Sequence, residues 1–481
     1  MNVLTFKKKF NLLHKVELMA VPMWRTVARK VTWQGVSLAL LTTVSAVASM
    51  DAAALPLFAR QTGQNCQACH AGGKFPELTP YGRMFKLTGY TLGKRQLIPI
   101  AATLSFSSTS APSASGAPGG AQNGGTGTQA NGTPTFDKAS LFAGGKLTDS
   151  IGAMAQYTFN NYSGSDDNHQ AGRIYSNNAD IRYAKHIIND QMDLVWGIDV
   201  NNNPGFEDVW NSSGVYGYGV VPGAVGTGSA VLPMLLSQQL GQSVVGAGAY
   251  AYWNKTLYVD LAGYRTGDGV FSFMTHNYNG QQTYIQGTNP YVRVALTHDW
   301  GASNAMIGYT YLDANVYESG APMSGGGTFG NVGGPVDEHR DNMIDFQYQY
   351  LSDPHVVTVE MEDANEQVLY GGGGATDTSN AFQAKASYTF EAHYGTALSY
   401  FNVTNSSNNV TATNPGGTLS NGAGAFQTAD LGSEGWTPEI FFMPVRNVRI
   451  GLQYTLFSRD NGTTLNASQN DTTFLYAWTA F

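Results

Sequence analysis

The most reactive residues of the chain stand together, since its two cysteines occur only in the run Cys66-Gln67-Ala68-Cys69-His70. This C-x-x-C-H spacing is the attachment pattern of c-type haem. The two thiols can reach both vinyl groups at one porphyrin edge, and the adjacent imidazole then faces the iron as proximal ligand. The motif therefore predicts one covalently bound haem c, with Cys66 and Cys69 as thioether sites and His70 as an axial ligand.

Two other chemistries use paired cysteines, a redox-active dithiol and a zinc site. A dithiol of the thioredoxin kind is expected within a βαβ unit, and no such pattern surrounds the motif. A zinc site needs a second pair of ligands nearby, whereas residues 71–135 contain neither histidine nor cysteine. Haem attachment is therefore the favoured interpretation.

The second axial ligand of the haem iron is not specified by the motif. Met84 is the only methionine or histidine between His70 and the strands that begin near 97, and it lies in the run 81–86, which indicates a short helix. A thioether is a common sixth ligand of c-type haem, so Met84 is the candidate distal ligand. The alternatives are that Met84 packs on the porphyrin, that a lumen-facing residue further along the chain is the ligand, or that the position is open.

The N-terminus predicts export from the cytoplasm. Arg25, Arg29 and Lys30 precede the apolar stretch 36–48, and small residues continue to position 54. A basic region, a short apolar region and small residues in this order are typical of a secretory signal. We therefore expect a signal peptide over 1–54, with an N-terminal anchor helix as the alternative.

The composition indicates an outer-membrane barrel. Only 12% of the residues are charged, whereas about 25% is usual for soluble proteins. The chain has 57 glycines and 12% aromatic residues, but no apolar run of the ~18 residues that a spanning helix requires. A transmembrane β-barrel has this composition because its lipid-facing residues alternate with polar ones.

Apolar and polar residues alternate with a period of two in many segments of residues 96–481. In the run 344–350, Ile, Phe, Tyr and Tyr alternate with Asp, Gln and Gln, as expected for a strand with one face in lipid and the other in a polar lumen. The fold class predicted is all-β, a transmembrane barrel of about 16 strands. The strands are expected at 97–107, 139–147, 151–161, 179–187, 191–200, 242–252, 255–264, 290–298, 303–313, 341–351, 355–363, 380–390, 394–403, 435–443, 446–458 and 472–481.

The connections between these strands alternate in length, with seven short turns and eight long loops. Short periplasmic turns and long outer loops are typical of outer-membrane barrels, so both termini are expected on the periplasmic side. The terminal Phe481 agrees with a barrel-insertion signal on the last strand. In the loop 201–241, the apolar run Ala230–Leu240 predicts a short helix that folds into the pore or lies at its rim.

A small basic module precedes the large acidic barrel. Residues 55–95 carry six basic side chains against Glu77 alone, a net charge of +5, whereas residues 96–481 carry −18. About 40 residues cannot build an independent core around a haem, and a barrel of this size encloses a wide lumen. We therefore expect a mainly helical module that plugs the lumen from the periplasmic end, with a position at the periplasmic mouth as the alternative.

Acidic residues occur on the inward faces of the predicted strands. Asp341, Asp345, Glu360 and Glu362 fall on two strands joined by a short turn, so they are expected to face one another across the ladder. They are candidates for docking the basic module or for an Fe(II) path, with plain lumen lining as the simplest alternative. The module would dock through Arg60, Lys74, Arg83, Lys86, Lys94 or Arg95. Further inward acids are expected at Asp193, Asp199 and Asp260.

The runs 55–63, 66–70, 75–87 and 89–90 resemble the haem module of the outer-membrane monohaem cytochrome–porin fusions. The best-known members of that family oxidise ferrous iron in iron-oxidising bacteria. The resemblance covers residues 55–95, whereas the barrel matches in length and pattern.

The resemblance implies a ferrous-iron:cytochrome oxidoreductase that takes electrons from extracellular Fe(II) and passes them to a periplasmic c-type cytochrome or copper protein. Cys66, Cys69 and His70 match the family motif directly, and Met84 is a candidate only. The barrel would lie in outer-membrane lipid with its long loops outside, and no nucleic-acid partner is expected. The competing hypotheses are a passive or substrate-specific porin with a structural haem, and a haem conduit for a different electron donor or acceptor.

Overall fold

Sixteen antiparallel strands close into one barrel, with β1 paired to β16. The computed structural model describes residues 56–73, 76–110, 132–160, 173–212, 235, 240–275, 283–317, 336–371, 376–405, 432–460, 464–465 and 467–481. The expected signal peptide, 1–54, lies outside the described residues. The strands are β1 Ile100–Ser110, β2 Thr135–Lys146, β3 Ile151–Asn160, β4 Arg173–Asn189, β5 Met192–Asn201, β6 Val244–Trp253, β7 Leu257–Thr266, β8 Asn289–Trp300, β9 Ser303–Tyr317, β10 Val336–Ser352, β11 His355–Leu369, β12 Thr376–Phe390, β13 Tyr394–Asn405, β14 Glu434–Phe442, β15 Val448–Arg459 and β16 Thr472–Ala480.

The prediction of a barrel of about sixteen strands is confirmed. The outward positions are apolar and exposed, as Ile344 of β10 shows with 55% of its surface accessible, whereas its neighbour Asp345 is 1% exposed and faces inward. Several exposed aromatic residues, including Trp253, Trp300 and Phe442, stand at strand ends beside the short turns. An apolar outer band with aromatic residues at its edge is the pattern of a barrel that crosses a bilayer.

Several strands extend further towards the long loops than the alternation predicts. β10 begins at Val336 rather than 341, and β11 continues to Leu369 rather than ending at 363. In this extension Glu338 and Arg340 form an ion pair at 2.5 Å, so polar side chains occur where the lipid-facing pattern has stopped. Alternating polarity marks only the lipid-embedded part of a strand, and backbone pairing continues beyond it.

Three short helices precede the barrel, α1 Pro56–Thr62, α2 Cys66–Cys69 and α3 Pro80–Leu87. Asn65 caps α2 by accepting a hydrogen bond from the Ala68 amide, and Thr79 caps α3 by accepting one from Gly82. Pro80 at the first position of α3 suits a helix start, where no amide hydrogen is needed. The helix predicted over 81–86 is therefore present, within α3. Among the described residues, no helix combines the length and apolar character needed to cross a bilayer.

The residues that precede β1, from 56 to 95, are called the helical segment. This segment contacts inward-facing side chains from widely separated strands. Tyr250 of β6 donates a hydrogen bond to the Leu87 carbonyl at 2.6 Å. Arg83 donates to Asn304 of β9 at 3.0 Å and to Gln347 of β10 at 3.2 Å. β6 and β10 are four strands apart in the barrel, so α3 is held from more than one side of the inner wall.

Residues 201–212, which follow β5, also lie among inward-facing side chains. Trp210 is 1% exposed and packs edge-on against Tyr258 with 5.4 Å between ring centroids. Most of the predicted helix Ala230–Leu240 lies outside the described residues. Of that run, Leu235 and Leu240 are described, and both are buried in a cluster with Tyr264 of β7.

Candidate functional site

The cysteine pair lies in one tight helical turn. The His70 amide donates to the Cys66 carbonyl at 2.8 Å, which closes the turn. Neither cysteine is in a disulfide, and Cys66 Sγ lies 3.6 Å from the carbonyl oxygen of Arg446 in the turn between β14 and β15. The motif is thus held against the barrel at the end where the short turns lie.

Helix α3 packs directly on this turn. The Thr79 amide donates to the Cys69 carbonyl at 3.0 Å, and the Thr79 hydroxyl donates to the Ala68 carbonyl. A Cβ atom placed on Gly82 would lie 2.2 Å from the Cys69 carbonyl oxygen. Glycine at position 82 therefore permits a backbone contact that any side chain would force apart.

Both thiols and His70 line one cavity between the helices and the wall formed by β1–β4. The cavity contains about 1860 Å³ of unfilled space, including the part that is open to solvent. Two thiols and an imidazole beside a space of this size are the donor set that a covalently attached haem requires. The residues therefore fit a haem c. The wall side of the cavity includes Thr103, Ser105, Lys138, Ser140, Phe142, Met154, Gln156 and Asn178.

The pKa values of Cys69 and His70 also fit a haem site better than a redox-active dithiol. Burial, together with the neighbouring Cys66 thiol, raises the pKa of Cys69 to about 11, whereas a reactive dithiol needs a lowered pKa. Burial lowers the pKa of His70 to about 4. The imidazole is then neutral at ordinary pH, which is the form that binds a metal.

An aromatic cluster covers another side of the cavity. Phe58 of α1 and Phe85 of α3 meet edge-on with 4.9 Å between ring centroids, and Phe58 stacks on Tyr90 at 5.7 Å. The Tyr90 hydroxyl donates to Asp180 of β4. These rings present apolar surface to the cavity, which suits the flat, apolar face of a porphyrin.

Met84, the candidate distal ligand, is not among the residues that line the cavity. Its side chain packs against the cluster that contains Leu87, Trp210 and Tyr250. The helical period explains this placement, because a residue two positions after Gly82 points about 200° around the helix from it. Since Gly82 faces Cys69, Met84 faces away from the thiols, and its side chain packs between α3 and the barrel wall, away from the cavity.

The four acids on β10 and β11 are buried and face inward, as predicted. Asp345 lies opposite Glu362 across the ladder, Asp341 opposite Glu366, and Glu360 accepts a hydrogen bond from Gln347 at 3.0 Å. All four are at most 2% exposed, namely Asp341, Asp345, Glu360 and Glu362.

Asp345 pairs with a basic residue of the barrel wall, and among the described residues no basic side chain of the helical segment pairs with it. Its partner is Arg293 of β8, with Arg293 Nη2 to Asp345 Oδ2 at 2.7 Å. Of the basic candidates, Arg83 binds neutral amides, Lys86 donates to the Asp208 carbonyl at 2.8 Å and Arg60 to the Ile100 carbonyl at 2.6 Å. Lys74 lies outside the described residues, and within them Lys94 and Arg95 form no ion pair.

One ion pair joins an acid of the helical segment to a base of the barrel, whereas a base of the segment was expected to meet an acid of the barrel. Lys385 of β12 lies 2.9 Å from Glu77, whose side chain is fully buried. Glu77 is the single acid of the module, and its spacing in the sequence offers no indication of a barrel partner. The contact depends on how the segment is placed against β12, which no local pattern could predict.

A second carboxylate cluster is formed by residues of β5, β7 and the segment that follows β5. Oxygens of Asp199, Glu207 and Asp260 lie within 4.8 Å of one another, and all three residues are at most 3% exposed. Arg182 lies 2.7 Å from Asp180, 3.3 Å from Asp199 and 3.7 Å from Glu207. Three buried carboxylates, those of Asp180, Asp199 and Glu207, thus share one guanidinium.

This cluster borders the cavity that contains the thiols. Arg182 donates to the Phe206 carbonyl at 2.8 Å, and Asp180 accepts from Tyr90. Phe206 and Tyr90 both line the cavity. Burial and the nearby Asp260 raise the pKa of Glu207 to about 7, so its carboxyl group is poised to exchange a proton near neutral pH.

Sequence reasoning identified only part of this cluster. Asp199 and Asp260 face inward, as expected, and Asp193 lies on the same face of β5 near its turn, paired with His186 at 2.6 Å. Arg182 could have been found, because it alternates with outward residues of β4. Glu207 could not, because it belongs to a loop without periodicity.

The chain matches no protein-family model and no curated protein. Among solved structures it is similar to OmpT of Vibrio cholerae, at 11% identity over 80% of this chain and 97% of that chain, with a TM-score of 0.43. It is also similar to OmpF of Salmonella typhi, at 11% identity over 79% and 97%, with a TM-score of 0.43. An anion-selective porin from Comamonas acidovorans gives 10% identity over 80% and 99%, with a TM-score of 0.40.

Proposed function

We propose that this chain is an outer-membrane c-type cytochrome, in which a single haem c sits inside the barrel and takes electrons from extracellular Fe(II). The observation that carries the proposal is that Cys66, Cys69 and His70 line one cavity within a closed barrel. The thiols would hold the haem, and His70 would bind its iron. When bound, the haem supplies a one-electron redox centre.

An outer-membrane location is supported by the surface of the barrel itself. Leu261, Ile307 and Ile440 are each more than half exposed on outward faces, and such an apolar surface needs lipid to cover it. The short turns would lie in the periplasm and the long loops outside the cell. The helical segment then lies at the periplasmic end, where Cys66 contacts the turn between β14 and β15.

The contents of the barrel support a plugged rather than an open lumen. α3 is bound to β6, β9 and β10, and Glu77 is bound to β12. Residues 201–212 occupy the space beside α3, where Lys86 donates to the Asp208 carbonyl. A haem-bearing plug held in this way would carry electrons across the membrane while ions are excluded.

The lumen carboxylates support Fe(II) as the donor. Ferrous and ferric ions favour oxygen ligands, and Asp199, Glu207 and Asp260 offer them beside the cavity. Those carboxylates that are ionised would also attract a divalent cation. Electrons would leave at the periplasmic end to a c-type cytochrome or copper protein, which accepts one electron at a time.

Replacement Asp260→Asn tests the role of these carboxylates. It removes one carboxylate that could bind iron at nearly constant volume, so the rate of haem reduction by Fe(II) should fall about tenfold. Stopped-flow visible spectroscopy measures the rate. Asp268→Asn is the matched control, because Asp268 is 52% exposed and far less desolvated. Equal rates for Asp260→Asn and the unchanged protein would remove the cluster from the iron path.

The same measurement separates the two roles suggested for the acids of β10 and β11. A paired replacement of Glu360 and Glu362 by glutamine should slow reduction by Fe(II) if these acids form the iron path. If they position the helical segment, it should instead raise ion conductance and leave the reduction rate nearly unchanged. If neither quantity changes, these acids only line the lumen.

A porin with a structural haem is the second candidate, and the sixteen-stranded closed barrel itself favours it, because barrels of this size form aqueous channels. Conductance in a planar bilayer distinguishes the two. A plugged cytochrome should conduct far less than an open barrel of sixteen strands. Conductance at the level of an open barrel, together with slow reduction by Fe(II), would favour the porin.

A further inference from the structure

We infer that Met154 of β3 is the second axial ligand of the haem iron, opposite His70. The inference rests on the proposed function, since it requires a haem at Cys66 and Cys69. Its basis is that Met154 and His70 line the same cavity, His70 from the helical side and Met154 from the barrel wall. Met84, the methionine that the sequence favours, does not line it.

The register of β3 directs Met154 inward. Gly152, Gln156 and Thr158 share its face, and Thr158 is fully buried, whereas Tyr157 on the other face is 42% exposed. Met154 is half-buried, so its thioether is in the lumen and is not packed within a closed core.

The neighbours of Met154 place it close to the helical segment. Met154 pairs across the ladder with Asp180 of β4, and Asp180 accepts the hydrogen bond of Tyr90. A Cβ on Gly152 would lie 2.1 Å from the Gly89 carbonyl oxygen, so β3 touches the chain just after α3. Tyr90 and Met154 therefore border the same end of the cavity.

The other side chains of the cavity that could bind iron are less suitable. Lys86 donates to the Asp208 carbonyl at 2.8 Å, and Tyr90 donates to Asp180. Lys138 offers no lone pair while it is protonated. The thioether of Met154 is neutral at every pH and carries its lone pairs free for a metal, and a Met/His pair is a common ligand set in c-type cytochromes.

This ligation would have a structural consequence. One axial ligand would come from the helical segment and the other from the barrel wall, so the iron would link the two. A thioether opposite the imidazole also raises the reduction potential. The haem would then accept an electron from Fe(II) more readily than with His70 alone.

Absorption spectra of the full-length oxidised protein test the inference through Met154→Ala, with Met84→Ala as the matched control. We expect Met154→Ala to lose the weak long-wavelength charge-transfer band of Met–haem ligation and to lower the reduction potential. Met84→Ala should retain both. Met154→His should restore a six-coordinate spectrum without the band, which shows that the barrel still folds around the haem.

Haem staining after denaturation separates this inference from the proposed function. Covalent haem in Met154→Ala with the band lost would support the ligand role. Covalent haem with the band retained in Met154→Ala, or lost in Met84→Ala, would overturn it. Absence of covalent haem from the unchanged protein would overturn the proposed function itself, and Met154 ligation with it.

Discussion

Replacement of both Cys66 and Cys69 by alanine is expected to abolish covalent haem. No other cysteine is present in the chain, so no second thiol can form a thioether bond to the porphyrin. Each single replacement should leave one bond at most and weaken the haem stain that survives denaturation. The measurement is haem staining on a denaturing gel, quantified against total protein.

Gln67→Ala is the matched control for the cysteine variants. Gln67 lies within the same turn but is exposed, so its loss changes the motif without removing a thiol. It should retain full staining. A double cysteine variant that stains as strongly as the Gln67→Ala protein would exclude these thiols as the attachment site.

Arg293→Met is expected to open the lumen. The guanidinium is fully buried and is bound to Asp345 at 2.7 Å and to Asp208 at 3.0 Å. Its loss leaves two buried carboxylates without their cation, and breaking such a pair costs about 3–5 kcal/mol. Because Asp208 belongs to the segment 201–212 that borders α3, this segment should loosen. Single-channel conductance should rise severalfold above that of the unchanged protein.

The control for this variant is Arg265→Met. Arg265 pairs with Asp268 at 3.4 Å, but both side chains are more than half exposed, so the pair contributes about 0–1 kcal/mol. Its conductance and thermal unfolding should match those of the unchanged protein. If Arg293→Met also conducts no more than Arg265→Met, the ion pair does not hold the lumen closed.

The barrel could be predicted from the sequence because each strand encodes its own orientation. Ile344 faces lipid and its neighbour Asp345 faces the lumen. The polarity of each side chain indicates its direction without knowledge of the rest of the chain. The strand ends towards the long loops were less predictable, as at Val336 and Leu369, because both faces are wet beyond the membrane. Local polarity ends there although backbone pairing continues.

The contacts inside the barrel could not be predicted in the same way. Glu77 with Lys385, and Arg293 with Asp208, join residues far apart in sequence, and their pairing depends on where α3 and residues 201–212 come to lie. Net charge alone suggested that basic residues of the helical segment would meet acids of the wall. In the structure the wall supplies a cation of its own to its buried acid Asp345.

The candidate second ligand of the haem iron could not be predicted from the sequence either, because it also depends on residues far apart in the chain. Cys66, Cys69 and His70 are recognisable because the motif is local. Met84 is the nearest methionine in sequence, but the period of α3 turns it from Gly82 towards Trp210. Met154 is 84 residues from His70 in sequence, and only the closed barrel brings β3 to the same cavity.

Electron transfer across a sealed vesicle is the most direct test of the account. The purified protein is inserted into vesicles that contain an oxidised soluble c-type cytochrome, and Fe(II) is added outside with a chelator for Fe(III). We expect reduction of the enclosed cytochrome, seen in its visible spectrum, at a rate that depends on the inserted protein, and we expect no reduction when Cys66 and Cys69 are both replaced by alanine. Reduction at the same rate with that double variant, or no reduction although the unchanged protein carries covalent haem, would contradict it.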